Sequence, residues 1–160
     1  MDSSVNYLRT IFFVSIVLIS GCQSRPDLEP LKSEILELHQ AGIDAHLNKD
    51  IDFFVRDLST DYVSVSGGEI NEPTVAEIRE TFRSYLENTE FTQYEDLRDP
   101  IVGVSQDGSI AWSIVQVKVA GRQISNGEAS REVDFTCAWI TLYERRENMW
   151  VRLADVSSFK

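Results

Sequence analysis

The chain has 160 residues, with 15 Lys and Arg against 26 Asp and Glu and a formal net charge of −11. That length suits one domain with its own core, and no internal period suggests a repeat array. The acidic balance argues against phosphate backbones and anionic headgroups as partners, so nucleic acid is not expected and any membrane attachment has to come from apolar groups.

The first 22 residues differ from the rest. Arg9 precedes the apolar run IFFVSIVLI over residues 11–19, which gives way to Ser20, Gly21 and Cys22. The run is too short to cross a bilayer, which takes about 20 residues. It ends in small residues, as a cleaved export signal requires. Ile19-Ser20-Gly21-Cys22 resembles a bacterial lipobox. The resemblance implies a lipoprotein signal peptide over residues 1–21 and acylation of Cys22 by palmitate-type chains once cleavage exposes it. Two or three acyl chains anchor a protein stably where one does so only marginally. Gln23 follows the cysteine rather than Asp, which in that sorting system implies the outer membrane. The expected location is therefore the bacterial cell envelope, with the membrane as a partner through the acyl chains on Cys22. Residues 22–30 hold two of the four prolines and read as a short tether. Loss of Asp2 and Arg9 with the signal leaves the net charge at −11.

The domain proper spans residues 31–160. Its first element is a predicted helix over 31–50, where Leu31, Ile35, Leu38, Gly42 and Ala45 share one face and Leu36, Ile43 and Leu47 form a second apolar stripe. A helix apolar on two sides calls for a curved sheet around it. Residues 51–58 suggest a short second helix, and 61–66 alternate as a strand before the hairpin pair Gly67-Gly68 and its return through Glu69 and Ile70. Thr74 and Glu77 after Pro73 form a capping-box pattern that opens a third helix carrying Ile78, Phe82, Tyr85 and Leu86 inward. Strands follow over 91–97 and 101–105, with Asp107-Gly108 as a turn. Two long central strands are expected over 109–120 and 133–143, separated by a polar loop over 121–130, and a last strand over 150–157. Both parities of the central strands are apolar: Ile110, Trp112 and Ile114 against Val115, Val117 and Val119. One helical layer covers one sheet face, so the other face predicts a homodimer.

That order of elements is similar to the nuclear transport factor 2-like superfamily, and the local wording resembles its SnoaL-like branch. Four passages carry the resemblance: HQAGIDAHLNKD over 39–50, Thr60-Asp61-Tyr62-Val63 leading to Gly68-Glu69, QDGSIAW over 106–112, and Met149-Trp150 through Ala154-Asp155-Val156-Ser157. The resemblance implies a cystatin-like α+β fold: a cone-shaped, curved antiparallel sheet wrapped around the long N-terminal helix, with two further helices and a pocket at the open end. Function varies across such a superfamily, so it has to be argued from the site. The steroid isomerase members use a catalytic aspartate near the position of Ser66 and an oxyanion-binding acid near residues 138–140; neither position is acidic here, and the nearest acids are Glu69 and Asp134.

The candidate chemistry is sparse. His39 and His46 lie two helical turns apart, too far for paired ligation of a metal, and no metal or other cofactor is expected. His46 stands near the helix end, where it could serve as an acid or base, although a packed histidine is the commoner outcome. Asp134 and Asp155 interrupt apolar strands and need either a cation, such as Arg131 or Arg152, or a function. Tyr62, Trp112, Trp139 and Trp150 have apolar bodies with polar tips and suit either a core or a pocket wall. Cys137, in an apolar run, reads as a buried thiol rather than a nucleophile. The leading expectation is a noncatalytic pocket for a small apolar or amphipathic ligand, with His46, Tyr62, Trp112, Asp134, Trp139 and Asp155 as binding residues. Two alternatives stand beside it: an isomerase- or hydrolase-type enzyme using His46 with Asp134 or Asp155, and a structural dimer with a closed pocket.

Overall fold

The computed structural model describes residues 27–125 and 128–160, so the expected signal peptide and Cys22 lie outside the described residues. Helix α1, Glu29–Asn48, starts earlier than the sequence pattern indicates. Pro30 sits in its first turn, where a missing N–H costs nothing. The helix ends at Lys49, which takes a left-handed conformation at φ 58°. That stop frees Asp50 to accept from the Phe53 amide at 3.3 Å and to start a single 3-10 turn, Asp52–Phe54. The longer helix expected over 51–58 does not form, because Leu58 is already paired with Arg152 in a strand.

Strand β1, Leu58–Ser66, turns through Gly67 and Gly68, both at positive φ, into the short β2, Glu69–Asn71. Helix α2, Val75–Glu87, opens on a complete capping box: the Thr74 hydroxyl accepts the Glu77 amide at 3.3 Å, and Glu77 accepts the Thr74 amide at 2.8 Å. There follow β3 (Thr89–Asp96), β4 (Ile101–Val104), β5 (Ile110–Ser125), β6 (Glu128–Arg146) and β7 (Met149–Phe159). The loop expected over 121–130 is largely strand. Arg122 faces Glu132 and Gln123 faces Arg131 in a continuing ladder, because strand pairing is made by the backbone and tolerates polar side chains on both faces.

The seven strands form one curved sheet in the order β2-β1-β7-β6-β5-β3, with β4 also on β5. Its ladders are antiparallel except β1 with β7, which is parallel, so the sheet is mixed rather than wholly antiparallel. On β5 the alternation is strict: Ala111, Ser113, Val115, Val117 and Val119 are each at most 2% exposed on the inner side, while Ile114 is 41% exposed on the outer side. Helix α1 buries Ile35, His39 and Ile43 on its sheet side, while Ala45 packs with Phe53 and Phe54 of the 3-10 turn and Leu86 of α2. Leu36 and Leu47, placed in a second buried stripe from the sequence, are exposed, so the sheet clasps the helix mainly from one side.

The outer face carries an apolar row across six strands. Ile101 pairs with Ile114, Ile114 with Ile140, Ile140 with Val156, Val156 with Val65, and Val65 with Ile70. Beside it Trp112 lies over Gly103, where any Cβ would overlap the indole ring.

Candidate functional site

Between α1 and the inner face of the sheet lies a cavity of about 950 Å³, flanked by the 3-10 turn and by α2. Its wall divides into two kinds of surface. The first is aromatic. The Phe54 and Phe82 rings stack with centroids 4.0 Å apart. His46 stacks on Tyr94 at 4.1 Å and meets Phe54 edge-on at 4.6 Å. Both imidazole nitrogens are engaged: Nδ1–H donates to the Gly42 carbonyl one turn back at 2.7 Å, and the Tyr94 hydroxyl donates to Nε2 at 3.2 Å. Burial among these rings lowers the His46 pKa to about 4, with the Gly42 carbonyl partly opposing the shift. The side chain is therefore neutral at neutral pH. The Tyr94 hydroxyl is pushed up, chiefly by burial, and stays a donor.

The second surface is polar and is built by a bulge in β7. Residues three apart on a regular strand face opposite sides. Here Leu142 pairs with Ala154 and Tyr143 with Arg152, so Leu153 is an extra residue, and both Arg152 and Asp155 face the cavity. Asp155 accepts from the Tyr62 hydroxyl at 2.8 Å through one oxygen and from the Thr141 hydroxyl through the other. Arg152 Nη2 donates to Asp57 at 2.6 Å and to the Phe54 carbonyl at 3.1 Å, while its Nη1 lies 4.0 Å from Asp155. Burial works against the guanidinium charge, but Asp57 and Asp155 more than offset it, and the Arg152 pKa is raised. The Tyr62 hydroxyl is pushed up by burial and then by the Asp155 charge beside it. Tyr143 rises to about 12 for the same first reason, with Arg152 pulling the other way. The result is an Asp57–Arg152–Asp155 cluster beside tyrosine hydroxyls that stay protonated.

Of the residues singled out from sequence, His46, Tyr62, Trp139 and Asp155 lie on the cavity wall. Asp134 and Trp112 do not. Asp134 stands on the outer parity of β6 with its side chain 67% exposed and paired to Lys118, so it cannot act with His46 in the cavity. Trp112 has the outer parity of β5. Trp150 is buried away from the cavity with Ile35 and Tyr143, its indole N–H donating to Glu34 at 2.7 Å. His39 also lines the cavity but holds Asp96 at 2.9 and 3.0 Å. The Cys137 thiol is buried and pushed up to about 11, so it is not a thiolate at neutral pH. Among the described residues no three His, Cys, Asp or Glu side chains converge on a metal-sized site.

Sequence reasoning did not single out Asp57, Thr141, Tyr143 or Tyr94. Thr141 and Tyr143 were within reach, since they continue the inward parity of Cys137 and Trp139 along β6. Asp57 had no such signal: it stands just ahead of β1, and its partner is 95 residues away.

No protein-family model and no curated protein matches the sequence. Solved structures do match in fold. An NTF2-like protein from Cytophaga hutchinsonii is similar with a TM-score of 0.61 and 16% identity, over 79% of this chain and 95% of that one. An uncharacterised protein with a cystatin-like fold from Caulobacter vibrioides matches with a TM-score of 0.62 and 15% identity, over 81% and 90%. An NTF2-like protein from Rhodospirillum rubrum matches with a TM-score of 0.59 and 18% identity, over 84% and 99%. At these identities the likeness establishes the α+β fold and leaves activity to the site itself.

Proposed function

We propose that this chain, whose fold is that of NTF2-like and cystatin-like proteins, is a lipid-anchored envelope domain that binds a small amphipathic ligand without transforming it. One observation carries the reading: the cavity has an aromatic half and a charged half, and the two bases singled out from sequence, His46 and Asp155, already hold hydrogen-bond partners. His46 uses both nitrogens, and each Asp155 oxygen accepts a hydroxyl. A site of several hundred Å³ with an apolar wall and a few convergent polar groups is typical of small-molecule binding. Thermal-shift screening of the chain against a metabolite panel tests the reading; amphipathic compounds should raise the melting temperature. A chain that no compound shifts, with its own side chains filling the cavity, counts against it.

A catalytic reading keeps one supporting observation, that His46 and Asp155 line the same cavity. It requires a proton transfer or hydrolysis that survives screening and is lost in Asp155→Asn. The envelope location rests on the Ile19-to-Cys22 pattern and is tested by labelled palmitate, which should enter the wild-type chain and not Cys22→Ser. A homodimer through the outer sheet face draws support from the apolar row through the exposed Ile114 and Val156 and the half-buried Ile140 between them.

A further inference from the structure

We infer that the cavity's ligand is a small organic cation, an amine on an apolar or aromatic body; this rests on the ligand-binding reading above and names the ligand class. The carboxylates on the cavity wall are Asp57 and Asp155, with the solvent-exposed Glu72 and Glu77, against the guanidinium of Arg152 and a histidine, His39, that is already held by Asp96 outside the wall. His46 adds no positive charge there, because burial holds its pKa near 4. The tyrosines, pushed up, stay neutral. Low-dielectric walls focus such an excess of one sign into the cleft, and the chain's net charge of −11 has the same sign.

Neither basic side chain is free to receive an anion: His39 Nε2 already lies 2.9 and 3.0 Å from the two Asp96 oxygens. Arg152 is held by Asp57 at 2.6 Å and by the Phe54 carbonyl at 3.1 Å, with Asp155 4.0 Å from its other nitrogen. A carboxylate or phosphate arriving there would face two carboxylates and would have to displace one of them. A donor meets the opposite situation. Among the described residues the second oxygen of Asp57 has no hydrogen-bond donor, and each Asp155 oxygen, with one hydroxyl bound, keeps acceptor capacity. An ammonium placed at this end forms charge-assisted hydrogen bonds. The rest of the molecule then lies against the Phe54 and Phe82 rings, whose faces also attract positive charge.

The test uses three probes on one skeleton: phenylpropylamine, phenylpropanol and phenylpropanoate. Each is titrated by calorimetry into the full chain in nonionic detergent, with Asp155→Asn and Glu72→Gln alongside. The amine should bind tightest and the carboxylate weakest, and added salt should weaken the amine alone. Asp155→Asn should lower amine affinity by about tenfold or more, the worth of one hydrogen bond to a charged group, and alcohol affinity by far less. Glu72→Gln, an exposed change, should lower amine affinity by about twofold, as an exposed charge pair does. If Asp155→Asn fails to fold, Glu72→Gln and the salt dependence decide. Alcohol or carboxylate binding as tightly as the amine overturns the cation assignment and leaves the binding cavity standing. Binding of none of the three at millimolar concentration overturns both.

Discussion

Arg152 is the residue on which the polar half of the cavity turns. Its guanidinium, 12% exposed, stands between Asp57 and Asp155, which are 15% and 22% exposed. Removing one member of so enclosed a cluster leaves the others charged and uncompensated. Arg152→Met should therefore destabilise the fold by about 3 kcal/mol in urea unfolding; a loss within a few tenths would mean that water already solvates both carboxylates. His46 makes a prediction of opposite character, in pH rather than in contacts. The folded chain holds its pKa near 4 against 6.5 for a free imidazole, so between those values the unfolded chain binds the proton and the folded chain does not. The stability that this neutral histidine contributes is fully present above pH 6.5 and is lost as pH falls from there toward 4, with a slope of up to about 1.4 kcal/mol per pH unit. His46→Gln should lack this component of the slope. Parallel pH profiles for the two proteins would contradict the assignment.

At the scale of elements, local signals had defined energetic consequences. The capping box at Thr74 closes two otherwise unpaired amides of α2 on the solvent side, so Thr74→Ala should cost about 1 kcal/mol in thermal or urea unfolding without moving the cavity. The β6–β7 hairpin turns on Glu147 and Asn148, both at positive φ, 49° and 67°. Asn-Gly suits that geometry, and the double change Glu147→Asn with Asn148→Gly should stabilise the protein by about 1 kcal/mol. The β7 bulge at Leu153 matters for a different reason, since it is what lets Arg152 and Asp155 share a face.

For the whole molecule, the outer sheet face poses the question of assembly. A row from Ile101 to Ile70 across six strands, with Ile114 and Val156 41% and 45% exposed, offers a continuous apolar contact for a second copy. Sedimentation should find a dimer for the wild type and a monomer of unchanged circular dichroism for Ile140→Lys. A monomeric wild type at micromolar concentration would remove the dimer.

The sequence by itself determined the long helix, the capping box, the Gly67-Gly68 hairpin and the alternation along β5 and β6, though not which parity turns inward, and with them the α+β architecture. Each of these is a local property, written in helical or alternating spacing within about twenty residues. The parity of β6 could have sorted Asp134 from the cavity, since it alternates out of step with Cys137 and Trp139, but the sequence does not say which parity turns inward, and it is the structure that removes Asp134 from the pocket in which the sequence reading places it. What only the tertiary structure decided is the site. The bulge at Leu153 reverses the parity of β7, the parallel pairing of β1 with β7 brings Tyr62 to Asp155, and Asp57 meets Arg152 across 95 residues of chain. Register shifts and long-range pairings are set by the balance of packing over the whole sheet, and no local period records them.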